Sequence, residues 1–293
     1  MLRKIVHRGF CVYLLGLMAG ALAQASPGAV VSHAYGAESL QQLDFWPAAT
    51  AAPAPLIVFV HGGGWQRGDK DNATGVDKVA HFTQAGYAFA SANYRLVPAA
   101  SVEQQAADVC AALAWLRADA ARLNIDASRI VLMGHSAGAH LVTLVGTDPR
   151  YLAAAGMGMD DIRGVVALDG AAYDVVSQMQ AAGPLMRRTY AQAFGAEAAR
   201  QRALSPTWQA AAPNAPAFLI AHVDRADGKA QSAALAAALR QAGTPAELAA
   251  FAGSGLRGHM TLNRSLGDPA YPATAVVDAW LGRVLGARPL TPP

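Results

Sequence analysis

The sequence predicts an α/β fold, a mostly parallel central sheet with helices on both faces, from three observations. Short strand-compatible runs recur along the chain, stretches with apolar residues three and four apart separate them, and the runs are apolar almost throughout. Strands of a parallel sheet covered on both faces have no solvent side to keep polar, and strand–helix alternation is the sequence mark of that layering.

The predicted strands are, in order, 56–60, 87–91, 130–133, 165–168, 217–221 and 248–251. The first reads Leu56-Ile57-Val58-Phe59-Val60, too continuous for a half-exposed strand. Between strands, 102–123 and 230–242 carry apolar residues at helical spacing, and Gly243 stands where a helix C-terminus favours glycine. Asp126 and Ser128 mark a turn into the third strand. Residues 170–214 are less regular, with Gly183-Pro184, Ser205-Pro206 and Pro213, and are read as a cap or insertion. No repeat, charge run or linker divides the chain, so 26–293 is expected to be a single domain.

Of the 293 residues 53% are hydrophobic, ample for a large core, and 15% are charged. The net charge of +3 resides in Arg3, Lys4 and Arg8, which have no acidic neighbour within 1–25. No basic patch for nucleic acid is implied. A basic start, an apolar stretch over 10–23 and small residues at Ala21, Ala23 and Ala25 make 1–25 an expected secretory signal, cleaved near Gln24 or Ser26. The stretch is shorter than the roughly 20 residues of a spanning helix, so no stable membrane anchor is expected. The mature chain is then periplasmic or secreted. Cys11 falls in the signal and leaves Cys110 alone, in a helical pattern with Val109, Leu113 and Leu116 that marks it as core.

Gly134-His135-Ser136-Ala137-Gly138 lies between the run Arg129-Ile130-Val131-Leu132-Met133 and the helix-compatible Ala139-His140-Leu141. A strand that turns sharply into a helix needs glycines beside the turning residue, and the turn exposes its side chain. Ser136 is the candidate nucleophile. A serine hydroxyl needs a base and a group to orient it, in the chain order serine, acid, histidine for this arrangement. Of the later histidines, His140 lies one turn along the same helix and His222 ends a buried strand, which leaves His259, expected in a loop after the last strand. For the acid, Asp224 stands at a strand end, Asp227 is an alternative whose plainer role is a helix N-terminal charge, and Asp169 is a weaker strand-end candidate.

An acyl-transfer intermediate also needs donors for its oxyanion, which backbone amides supply where glycine permits close approach. His61-Gly62-Gly63-Gly64-Trp65 follows the strand 56–60, so Gly63, Gly64 and the amide of Ala137 are the expected donors, with His61 and Trp65 lining the substrate pocket. No Gly-Lys-Ser/Thr follows, which argues against a nucleotide loop. No metal or cofactor is expected.

These motifs, with Gly68-Asp69-Lys70, Asn93-Tyr94-Arg95-Leu96, and Gly258-His259 ahead of Leu266-Gly267, resemble the α/β-hydrolase esterases. The resemblance spans roughly 35–285 and is greatest to the branch of carboxylesterases, feruloyl and acetyl-xylan esterases and kynurenine formamidases. It implies a Ser-His-Asp triad cleaving a small-molecule ester or an acylated carbohydrate. In that branch the acid stands seven residues before a glutamine, as Asp224 does before Gln231, although Ala221-His222-Val223 lacks the usual preceding glycine and keeps Asp227 as an alternative. Hydrolysis of N-formylkynurenine and a catalytically silent binding protein are the other readings.

Overall fold

A computed structural model describes residues 30–71, 74–211 and 213–286. The expected signal over 1–25 lies outside them. The strands are β1 (Val31–Ala34), β2 (Gln42–Trp46), β3 (Ala54–Val60), β4 (Ala88–Ala92), β5 (Ile125–His135), β6 (Gly164–Leu168), β7 (Phe218–Asp224) and β8 (Ala246–Ser254). The α-helices are α1 (Lys78–Gln84), α2 (Val102–Ala118), α3 (Ala120–Leu123), α4 (Ala137–Thr147), α5 (Pro149–Ala154), α6 (Val175–Ala181), α7 (Pro184–Phe194), α8 (Ala198–Ala203), α9 (Pro206–Gln209), α10 (Ala226–Gln241), α11 (Gly255–Arg264) and α12 (Pro272–Leu285).

The strands form one sheet in the order β1-β2-β4-β3-β5-β6-β7-β8. From β4 through β8 every pair is parallel, and β1 and β2 form an antiparallel edge. Alternation along β3 divides the core between the two faces. Leu56, Val58 and Val60 pack with α2 and α4, while Ile57 and Phe59 pack with Phe82 of α1 and Val277 and Trp280 of α12. Each such side chain contributes about 1.5–3 kcal/mol when fully buried. This double burial makes β3 read as an unbroken apolar run.

β1 and β2 escaped the sequence reading, β1 because it is mostly exposed and β2 because it is short with Asp44 at its centre. A strand without two buried faces leaves little apolar signal. The helical stretch 102–123 divides at Asp119 into α2 and α3, and α3 ends at Asn124 in the left-handed conformation (φ 53°). Ser101 opens α2 with a reciprocal capping box to Gln104. Residues 170–214 hold α6 to α9, inserted between β6 and β7.

Candidate active site

The strand–turn–helix around Ser136 joins β5 to α4 with a single residue between them. Ser136 has φ 57° and ψ −119°, sparsely populated for any side-chain-bearing residue, and its amide donates to Leu168 O at 3.0 Å. The flanking glycines are required by space. A Cβ on Gly138 would collide with Val60 O and His61 O, and one on Gly134 with the Gly138 carbonyl. The loop after β3 presses on the same point, since a Cβ on Gly62 would lie 2.9 Å from the Ser136 Cβ.

In that loop Gly63, Gly64 and Trp65 have φ of 124°, 63° and 62°. Trp65 is the costly one, because an indole-bearing residue rarely adopts the left-handed region. Its carbonyl accepts from Val97 N at 2.9 Å and Gln105 Nε2 at 2.8 Å, and its indole Nε1 donates to His140 Nδ1 at 3.3 Å. Ala137 begins α4, so its amide has no carbonyl partner within the helix. His61 and Trp65 were expected to line the pocket, but each is only 1% exposed. The His61 ring stacks on Tyr94 at 4.4 Å, and Trp65 packs edge-on against Phe194 at 4.7 Å. Both brace the loop from behind.

His259 stands in α11, not in the expected loop. Gly253, Gly255 and Gly258 hide the helix from a propensity reading. The His259 ring lies 4.4 Å from that of His135, the residue before Ser136, and its carbonyl accepts from His135 Nε2 at 3.0 Å. Its Nδ1 is 2.7 Å from Asp169 Oδ2. A carboxylate only accepts, so toward Asp169 it is Nδ1 that donates.

The expected pairing of His259 with Asp224 is corrected: the structure sets Asp169 against the imidazole. Asp169 follows β6 at φ 43°, is fully buried, and accepts from Val223 N through Oδ1 at 3.2 Å. Arg225 Nη1 lies 3.4 Å from Asp169 Oδ2 and gives the buried carboxylate a compensating cation; its 2.9 Å approach to His259 Nδ1 is donor against donor when Nδ1 donates to Asp169, and is not a hydrogen bond. Asp224 is on the wrong side of β7. Strand alternation buries Val223 and turns Asp224 outward, where its side chain is 73% exposed and meets Lys229 Nζ at 3.2 Å. Asp227 sits in the first turn of α10, accepting from Gln178 Nε2 at 3.3 Å. Gln231, the residue that favoured Asp224, instead accepts from Asp174 N at 2.6 Å and ties down the start of α6. Arg225 escaped the sequence reading, and only its place beside a strand end signals it.

Burial pushes His61 and His135 below the ordinary histidine value and brings His140 down to about 4, so these rings are neutral. The site thus holds a half-buried serine on a strained turn, a glycine loop pressed against it and a histidine beside a buried aspartate. That set can activate a hydroxyl and stabilise an oxyanion.

The BD-FAE family model matches residues 43–239. Esterase LipC of Mycobacterium tuberculosis is 34% identical over 131 residues, 43% of this chain and 32% of that protein. Kynurenine formamidase of Drosophila melanogaster is 33% identical over 128 residues, 43% of this chain and 41% of that protein. The chain thus spans a third to two fifths of the length of these curated relatives. Among solved structures, esterase B of Lactobacillus rhamnosis superposes with a TM-score of 0.71 at 22% identity, covering 89% of this chain and 86% of its own. An esterase of Thermogutta terrifontis does so with a TM-score of 0.71 at 23% identity, covering 90% of this chain and 95% of its own. These two likenesses establish the α/β-hydrolase fold.

Proposed function

The chain belongs to the BD-FAE family, and from that premise we propose that it is a carboxylesterase-type serine hydrolase. The contact of His259 Nδ1 with Asp169 Oδ2 at 2.7 Å, beside the strained turn of Ser136, carries the reading. His259 Nε2 takes the Ser136 proton as Oγ attacks the ester carbonyl. Asp169 holds the imidazole tautomer and stabilises the imidazolium, and the amides of Gly63, Gly64 and Ala137 receive the oxyanion. Collapse of the intermediate breaks the ester bond, and the imidazolium protonates the departing alcohol. Water activated by His259 then releases the acyl group. The likeness to esterase LipC supports an ester as the substrate.

Treatment with a fluorophosphonate is expected to label Ser136, and Ser136→Ala to lower kcat on p-nitrophenyl acetate by at least about 10³-fold. Labelling at another residue, or an active Ser136→Ala variant, rejects the mechanism. A second reading, hydrolysis of N-formylkynurenine, rests on the likeness to the Drosophila kynurenine formamidase. A higher kcat/KM on that formamide than on p-nitrophenyl acetate and methyl ferulate would select it. Export, argued from residues 1–25, belongs to the ester reading, since that formamide arises inside cells. Mass spectrometry of the exported protein should find an N-terminus near Gln24 or Ser26, and an intact Met1 there refutes cleavage.

A further inference from the structure

His140 is fully buried one helical turn beyond Ser136, and the mechanism above does not use it. Its two ring nitrogens face partners of opposite kind. Trp65 Nε1 lies 3.3 Å from Nδ1, and the Leu204 carbonyl lies 2.8 Å from Nε2. An indole N–H can only donate and a carbonyl can only accept, so the ring must be the neutral tautomer with its proton on Nε2. Burial favours that neutral form. Trp65 is the residue after the Gly63–Gly64 pair, whereas Leu204 caps α8 in the segment inserted between β6 and β7. His140 therefore touches the oxyanion loop and the cap and is itself fixed to the nucleophile helix.

The surrounding rings join the same elements. Phe194 and Tyr190 of α7 pack on Trp65 at centroid separations of 4.7 Å and 5.9 Å, and His140 meets Phe194 at 5.3 Å. Gln66 Nε2 donates to Thr189 O at 3.3 Å, a second tie between loop and cap. Trp65 keeps its left-handed backbone because bonds at both its carbonyl and its indole hold it there. If the indole bond is lost, the peptide joining Gly64 to Trp65 can relax toward a commoner conformation, which turns the adjacent amides away from Ser136.

We propose that His140 is a positioning residue that sets the oxyanion-loop amides, through Trp65, according to the seat of the cap on Leu204. The proposal rests on the reading of Ser136 as nucleophile and of the loop amides as oxyanion donors. It differs from a packing role because the oxyanion exists only after attack, so the loss falls on kcat and leaves KM nearly unchanged.

The test uses the full chain and p-nitrophenyl acetate. His140→Phe keeps a ring in the space and removes both hydrogen bonds, and it is expected to lower kcat about 10- to 100-fold with KM within about threefold. His140→Asn returns an acceptor near the Nδ1 position and should recover at least about fivefold of that loss. Trp65→Phe removes the same bond from the other side and should cost as much as His140→Phe, while the double variant costs no more than either alone. Wild-type kcat in His140→Phe, a loss confined to KM, or additive losses in the double variant would each overturn the proposal. Should His140→Phe fail to fold, Trp65→Phe decides alone, and unchanged kcat there overturns it. Hydrolysis surviving in Ser136→Ala removes the underlying hydrolase reading as well, and is distinct from wild-type kcat in His140→Phe with Ser136→Ala inactive.

Discussion

Asp169 and Asp224 are both aspartates at the ends of neighbouring parallel strands, and only one meets the histidine. Asp169 is fully buried with Val223 N, Arg225 and His259 around it, whereas Asp224 faces water and Lys229. Asp169→Asn is expected to lower kcat by roughly 10³- to 10⁴-fold, because the amide can present the wrong partner to Nδ1 and favour the wrong tautomer. Asp224→Asn should stay within about twofold of wild type, since it removes only an exposed ion pair. Steady-state kinetics on p-nitrophenyl acetate separate the two, and the opposite ranking would return the acid role to the end of β7. Candidates for the acid were visible in the chain because strand ends can be read from apolar runs. Which candidate faces inward was not visible, because it depends on the side of one strand and the distance to a helix far along the chain.

At the scale of elements, the junction of β3, β5 and α4 leaves no space for side chains at the motif glycines. Gly138→Ala places a methyl against Val60 O and His61 O, backbone atoms that cannot move aside without shifting β3 or α4. The expected cost is about 1–3 kcal/mol of overpacking, read as a lower urea midpoint at unchanged slope, together with a loss of activity. A midpoint equal to wild type would show that the helix can retreat freely. Removing a cap has a smaller effect. Ser101→Ala breaks the reciprocal pair with Gln104 and should cost about 1 kcal/mol. The helix α11 shows the limit of propensity. Its glycines argue for a loop, yet burial of Leu262 in the core, where α11 packs on β7 and β8, holds it as a helix.

Across the whole molecule, buried neutral histidines contribute to the response to acid. His140 has its pKa moved from 6.5 to about 4 by burial, and His61 and His135 move in the same direction. The unfolded chain therefore binds protons that the folded one refuses as pH falls below 6.5, and stability falls with pH down to about 4. For His140 alone that loss amounts to about 3 kcal/mol over the window. Thermal melting between pH 7 and pH 4 should show a falling Tm, and His140→Phe should flatten part of the slope. A wild-type Tm independent of pH over this range would contradict the neutral assignment.

The sequence by itself determined the parallel sheet, the turn at Ser136 and the glycine loop after β3. Each is written in contiguous residues, because runs with two buried faces and glycines at crowded turns are local demands of backbone geometry. Tertiary structure alone decided that Asp169 accepts from His259 across 90 positions, that Trp65 braces the loop from behind, and that His140 joins the loop to the segment between β6 and β7. Those outcomes depend on strand alternation, helix packing and the pairing of donors with acceptors between distant segments, which no single stretch of the chain contains.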